Sequence, residues 1–219
     1  EDVWSSTRGF PKTVSFHEGR LYFGGSRDRP QTIWGSKVSL FFDFDLGSLF
    51  DDEAIDATLN TSQINEIVNV KSSNGNLLIF TTGSEFSVTG TITPQGFSPV
   101  PVSQYGSEKP FDIGVVFGTG TEQFLDWTFK NDANARNNII DNNNIFIQRG
   151  GKSIYRFAYD TIQQFSDSEN ISLLSSHLLD TPLDFAVRRS TSTEESNLAL
   201  YINSSNQLIM GTILFLQEV

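Results

Sequence analysis

Apolar residues along this chain come in short runs bounded by Gly, Asn, Ser or Pro, and few stretches carry the spacing of an amphipathic helix. The pattern predicts β-strands joined by turns. Two segments are expected to be helical. One is residues 51–70, "DDEAIDATLNTSQINEIVNV", whose opening acids suit a helix N-terminus. The other is the short stretch 170–179, "NISLLSSHLL".

A weak internal repeat runs through the strand-like parts. "GRLYFGGSRDRPQTIWGS", "GNLLIFTTGSEFSVTG", "NNIFIQRGGKSIYRFAYD" and "SNLALYINSSNQLIMGTI" each hold a polar turn, an apolar strand, a second turn and a second strand. The apolar strands begin near Leu21, Leu77, Ile145 and Leu198. That spacing, roughly 50 to 70 residues, suits one four-stranded unit per repeat. The expected fold is mainly β: a β-propeller region of about four blade-like units, with one or two short helices. A β-sandwich is the alternative. The whole chain, 1–219, is expected to form one such region of a longer protein, with an insertion at 106–138.

The stretch "FHEGRLYFGGSRDRPQTIWGSK" concentrates glycine and arginine. "RLYF" reads as a strand with Leu21 and Phe23 on one face. Gly24 and Gly25 are expected to reverse the chain, because glycine reaches φ > 0 without a Cβ clash. Pro30 belongs to a loop, and "QTIWGS" starts the next strand with Ile33 or Trp34 inward. Arg27 and Arg29 flank Asp28 and so offer both charge signs; these three are candidate contacts to a neighbouring subunit. A second Gly pair, in "RGGKS", lacks the phosphate-loop spacing and reads as a hairpin turn.

Composition narrows the chemistry. There is no Cys, so neither disulfides nor thiolate metal sites hold the fold. A net charge of −11 disfavours stable binding of nucleic acid, which needs clustered Lys and Arg. No apolar run reaches the roughly 18 residues that a membrane-spanning helix requires. The last stretch, "LIMGTILFLQEV", is strand-like and apolar. An open edge of that kind invites pairing, so the chain is expected either to continue or to pair its termini.

Candidate catalytic signals are sparse. His17 and His177 are the only histidines, and neither G-x-S-x-G nor H-E-x-x-H occurs. Six carboxylates lie between Asp43 and Asp56, but Gly47 and Ala54 fall where a calcium loop needs ligands. No catalytic, cofactor or metal residue is assigned, and the chain is expected not to be an enzyme. The competing function is a carbohydrate-binding or glycan-cleaving propeller at a host surface. That reading requires a cleft with stacked Trp and paired carboxylates.

"RGFPKTVSFHEGRLYFGGSRDRPQTIWGSKVSLFFDF" resembles the signature of the tail nozzle, or tail tubular protein B, family of short-tailed bacteriophages (podoviruses). The similarity continues through "DDEAIDATLNTSQINEI", "LLIFTTGSEFSV", "IFIQRGGKSIYRFAYD" and "ENISLLSSHLL". Its structural residues here are Arg8, Gly9, Pro11, Phe16, Glu18, Gly19, Arg20, Gly24, Gly25, Pro30, Trp34 and Ser36. The resemblance implies a structural protein of the virion tail with a β-propeller region and no cofactor, assembled as a homohexameric ring. Its implied partners are further copies of itself, a tail tubular A-type adaptor, and tail fibres. Double-stranded DNA is implied to pass through the ring transiently during genome ejection.

Overall fold

The computed structural model describes residues 3–61, 65–73, 75–107, 137–140, 143–160, 165–182, 184–188 and 196–213. Among these residues the regular structure is almost entirely antiparallel β. The first sheet orders β1 (Thr13–His17), β2 (Arg20–Gly24), β3 (Thr32–Gly35) and β4 (Ile55–Thr58). The second holds β5 (Ile67–Ser73), β6 (Asn76–Thr81), β7 (Glu85–Val88) and β8 (Val100–Ser103) in the same sequential order. The third holds β9 (Asn137–Ile140), β10 (Asn143–Ile147), β11 (Ile154–Asp160) and β12 (Phe165–Asn170). The fourth holds β13 (Asp184–Arg188), β14 (Asn197–Ile202) and β15 (Leu208–Ile213).

Every sheet is a meander, and the four repeat strands expected from sequence are β2, β6, β10 and β14, the second strand of each. Local chemistry explains the turns. His17 pairs with Arg20 across Glu18 and Gly19, whose φ values are +45° and +74°. Two positive φ angles in a two-residue loop match the right-handed twist of the strands on either side. In the third meander, Ile147 pairs with Ile154 around the expected Gly150–Gly151 turn.

The described chain divides into two compact units, one centred on Glu1–Ser107 and the other on Glu108–Ala158 with Ser168–Val219. In the first unit, the first two sheets pack face to face. Tyr22, Ile33 and Ile55 meet Ile67, Val70, Leu77, Ile79 and Phe86 in one buried cluster. Each such side chain contributes about 1.5–3 kcal/mol by leaving water. β1 and β5, the opening strands of their meanders, lie side by side. The Thr13 hydroxyl donates to Asn69 Oδ1 at 2.9 Å across that seam. The second unit repeats the scheme: Ile145, Ile147 and Ile154 pack with Ala199 and Tyr201, and β9 lies beside β13.

Three expectations need correction. Residues 51–70 are not helical: Ile55–Thr58 is a strand, and β5 begins at Ile67. Ile55 is buried and Ala57 packs beside it, whereas Asp56 and Thr58 point away, a period of two that the acidic opening masks. In 170–179 the helix reduces to a 3-10 turn, Ser176–Leu178, the only helical element among the described residues. Gly24 lies within β2 and lacks positive φ; only Gly25 has it, at +58°. The reversal after β2 is a longer loop, closed where the Gly25 N–H donates to Thr32 O at 2.9 Å. Apart from its ends, the expected insertion over 106–138 lies outside the described residues.

A Cβ on Gly24 would stand 2.9 Å from both Thr13 Cγ2 and Val70 Cγ2. This glycine serves the close approach of the two sheets. Gly25 serves the turn, and a Cβ there would sit 3.0 Å from Ile67 O. Gly25→Val is therefore expected to lose roughly 1–3 kcal/mol, seen as a lower urea midpoint. An unchanged midpoint contradicts this role.

Candidate functional site

Of the signature residues, Phe16, Arg20, Gly24 and Trp34 lie on strands of the first sheet, Glu18, Gly19, Gly25 and Pro30 in its turns, Ser36 at the start of the loop between β3 and β4, and Arg8, Gly9 and Pro11 in the segment before β1. Arg20 opens β2 and is only 2% exposed. Its Nη1 donates to Ser36 O and Glu53 O, each at 2.6 Å, and its Nη2 donates to Asp51 O. Ser36 Oγ accepts from the Leu21 N–H at 3.0 Å and donates to Lys37 O. The Ser39 N–H donates to Gly19 O at 2.8 Å. Gly19, Arg20 and Ser36 thus clamp both ends of loop 36–54 to the first hairpin.

That loop presents apolar groups to solvent. Phe42 is 93% exposed, Phe50 68% and Leu40 56%. Phe16, itself 62% exposed, meets Phe41 edge-on with ring centroids 5.2 Å apart. Together these side chains give the loop an apolar surface. Acidic groups border it: Asp43 pairs with Lys37 at 3.2 Å, while Asp45 reaches the same ammonium at 3.8 Å. The Asp45 backbone N–H and Lys37 hold the Asp43 carboxyl below the usual range; the hydrogen bond to Asp43 raises the Lys37 ammonium above its own.

Beside the loop, Trp4 meets Trp34 edge-on at 5.4 Å and also touches Phe23 and Phe44. A cavity of about 360 Å³ opens there, walled by Trp4, Trp34, Phe44, Leu46, Ile55 and Asp56. Arg29 lies at its margin. The guanidinium pairs with Asp56 at 2.8 Å and stands 5.7 Å from the Trp34 ring centroid. Of the candidate contact residues, Arg29 is thus engaged within its own chain. Arg27, 61% exposed, lies 3.7 Å from Asp28. Trp4 and Trp34, thirty residues apart in sequence, come together here. Trp127 lies outside the described residues.

Two buried ionisable groups stand apart from this surface. His17 Nδ1 is 2.8 Å from Ser72 Oγ, and burial lowers the imidazole's pKa despite Glu18 nearby. The contact fastens β1 to β5, and burial pushes the adjacent Tyr22 hydroxyl up to about 12. Glu85 on β7 is 1% exposed. Its carboxylate accepts from Ser103 Oγ, from Ser107 Oγ at 3.3 Å, and from the backbone N–H groups of Tyr105 and Gly106. Burial outweighs those donors and pushes its pKa up to about 7. His177 lies on the exposed 3-10 turn, far in sequence from either group. The described residues contain no cluster of three or more potential metal ligands. Nor do they contain a helix long and apolar enough to cross a membrane.

No protein-family model and no curated protein matches the chain. One similar solved structure is PorZ, a bacterial surface component of the type-IX secretion system of Porphyromonas gingivalis. The identity is 14% over 93% of this chain, with a TM-score of 0.37, and this chain spans 21% of PorZ. Another is a luciferin-regenerating enzyme, 12% identical over 94% of this chain and 77% of that one, with a TM-score of 0.27. Neither similarity bears on function.

Proposed function

We propose that this chain is the propeller region of a tail nozzle subunit from a short-tailed bacteriophage. In this reading, copies form a homohexameric ring that continues the DNA conduit below an adaptor ring. The carrying observation is the long sequence resemblance over residues 8–44. Its support comes from the use made of those residues: Gly19, Arg20, Gly24, Gly25 and Ser36 build the first sheet and hold its loop. They therefore act as a scaffold signature and serve no reaction.

Four successive meanders, with opening strands side by side inside each unit, support a radial propeller. The net charge of −11 favours a conduit that does not grip phosphates. Symmetric subunit contacts hold such a ring closed. The partners are other copies, a tail tubular A-type adaptor and tail fibres, and the location is the virion tail. Electron microscopy of particles carrying this chain is expected to show it in a sixfold ring on the tail axis. Finding it as a peripheral spike, or as a monomeric enzyme outside the particle, overturns the proposal.

A further inference from the structure

We propose that the Trp4–Trp34 cavity is a binding site for an uncharged saccharide ring. This goes beyond the tail-ring reading and does not depend on it. Three aromatic side chains, Trp4, Trp34 and Phe44, form most of the wall, and Asp56 is the one ionisable residue lining it. Trp4 stands at 87° to Trp34 and at 73° to Phe44. The space is about 360 Å³, and since a protein cavity of about 150 Å³ holds benzene, a six-membered ring with its hydroxyls fits. Phe44 belongs to loop 36–54, which Arg20 and Ser36 tie to the first hairpin. The wall is therefore in place before a ligand arrives.

Charge and hydrogen bonding select the ligand. An anion is disfavoured by Asp56, by Asp43 and Asp45 on either side of Phe44, and by the net charge of −11. A cation gains little, because Arg29 already pairs with Asp56 at 2.8 Å and stands 5.7 Å from the Trp34 ring centroid. What remains is a neutral molecule, and the polar groups offered to it are of both kinds. The Arg29–Asp56 contact uses Nη1 and Oδ2. Asp56 Oδ1 is left as an acceptor and the other guanidinium N–H groups as donors, with no hydrogen-bond partner among the described residues. The indole Nε1 atoms of Trp4 and Trp34 are buried and lack a partner too. Buried donors in that state are uncommon and call for an acceptor. Sugar hydroxyls donate and accept at once, so they answer an acid and several N–H groups together. The C–H face of a pyranose is apolar and slightly positive, which suits the negative face of an aromatic ring. A wholly apolar ring leaves every one of these polar groups unanswered.

The test is saturation-transfer NMR and calorimetric titration of the full chain with methyl glucoside, methyl galactoside and N-acetylglucosamine. Glucose 6-phosphate and protonated glucosamine serve as charged probes, and cyclohexanol as a ring with a single hydroxyl. At least one neutral sugar is expected to saturate the chain below about 10 mM, with both charged probes and cyclohexanol more than about tenfold weaker. Leu46→Trp fills the cavity from a position that is 40% exposed. It is expected to abolish binding and to leave the urea midpoint unchanged. Asp56→Asn removes the carboxylate acceptor and is expected to weaken binding more than about tenfold. No saturable binding by any of the three sugars, equal binding of cyclohexanol, or sugar binding that Leu46→Trp leaves untouched overturns the proposal. A sixfold ring seen by microscopy without sugar binding sinks only this site, and sugar binding by a chain found outside any ring sinks only the ring reading.

Discussion

Arg20→Ala is expected to cost about 3–5 kcal/mol, the range typical of leaving buried polar groups without their charged partner. Arg20 is the largest fully buried side chain among the described residues. It satisfies the carbonyls of Ser36, Asp51 and Glu53 together. Truncation opens a void and leaves three acceptors without their donor. It also frees loop 36–54 at both ends, so Phe42 and the cavity wall at Phe44 lose their fixed positions. Arg20→Lys keeps the charge, but a single ammonium cannot reproduce the planar fork, and an intermediate loss is expected. Urea denaturation with near-ultraviolet circular dichroism reads both effects. A loss below about 1 kcal/mol for Arg20→Ala, the level of an ordinary surface change, would remove the clamp from this account.

Glu85 should make stability depend on pH in the sense opposite to a salt-bridged carboxylate. Its folded pKa is about 7, against an ordinary value of 4.5. The folded state therefore binds a proton more tightly than the unfolded chain does. The resulting stabilisation is complete below 4.5 and is lost as pH rises through about 7. The shift converts to at most about 3 kcal/mol between pH 4 and pH 8. Glu85→Gln mimics the protonated form, so the variant should gain on wild type at pH 8 and match it near pH 4. Subtracting the two stability curves cancels other titrating groups, including Asp43, whose lowered pKa acts at more acid pH. A pH-independent difference would show that Glu85 stays ionised in the fold, held by Ser103, Ser107 and the two backbone N–H groups.

Much of the local geometry is legible in the sequence. Short apolar runs between turn residues specify strands. Glu18-Gly19 and the Gly150–Gly151 pair specify where the chain reverses, and the spacing of Leu21, Leu77, Ile145 and Leu198 marks one meander each. These signals are local, because alternation and positive φ act within a few residues. Residues 51–58 show where local reading stops. The acids at 51–53 suit a helix start, yet Ile55 and Ala57 pack on the core only from a strand paired with β3. Tertiary structure alone decided that Arg20 would hold a loop more than fifteen residues away in sequence. It also decided that Arg29 would pair with Asp56, that Trp4 would meet Trp34, and that Glu85 would be buried among hydroxyls and backbone donors. Each depends on which sheet face meets which, and that choice is made by the summed burial of many distant apolar residues rather than by any one segment.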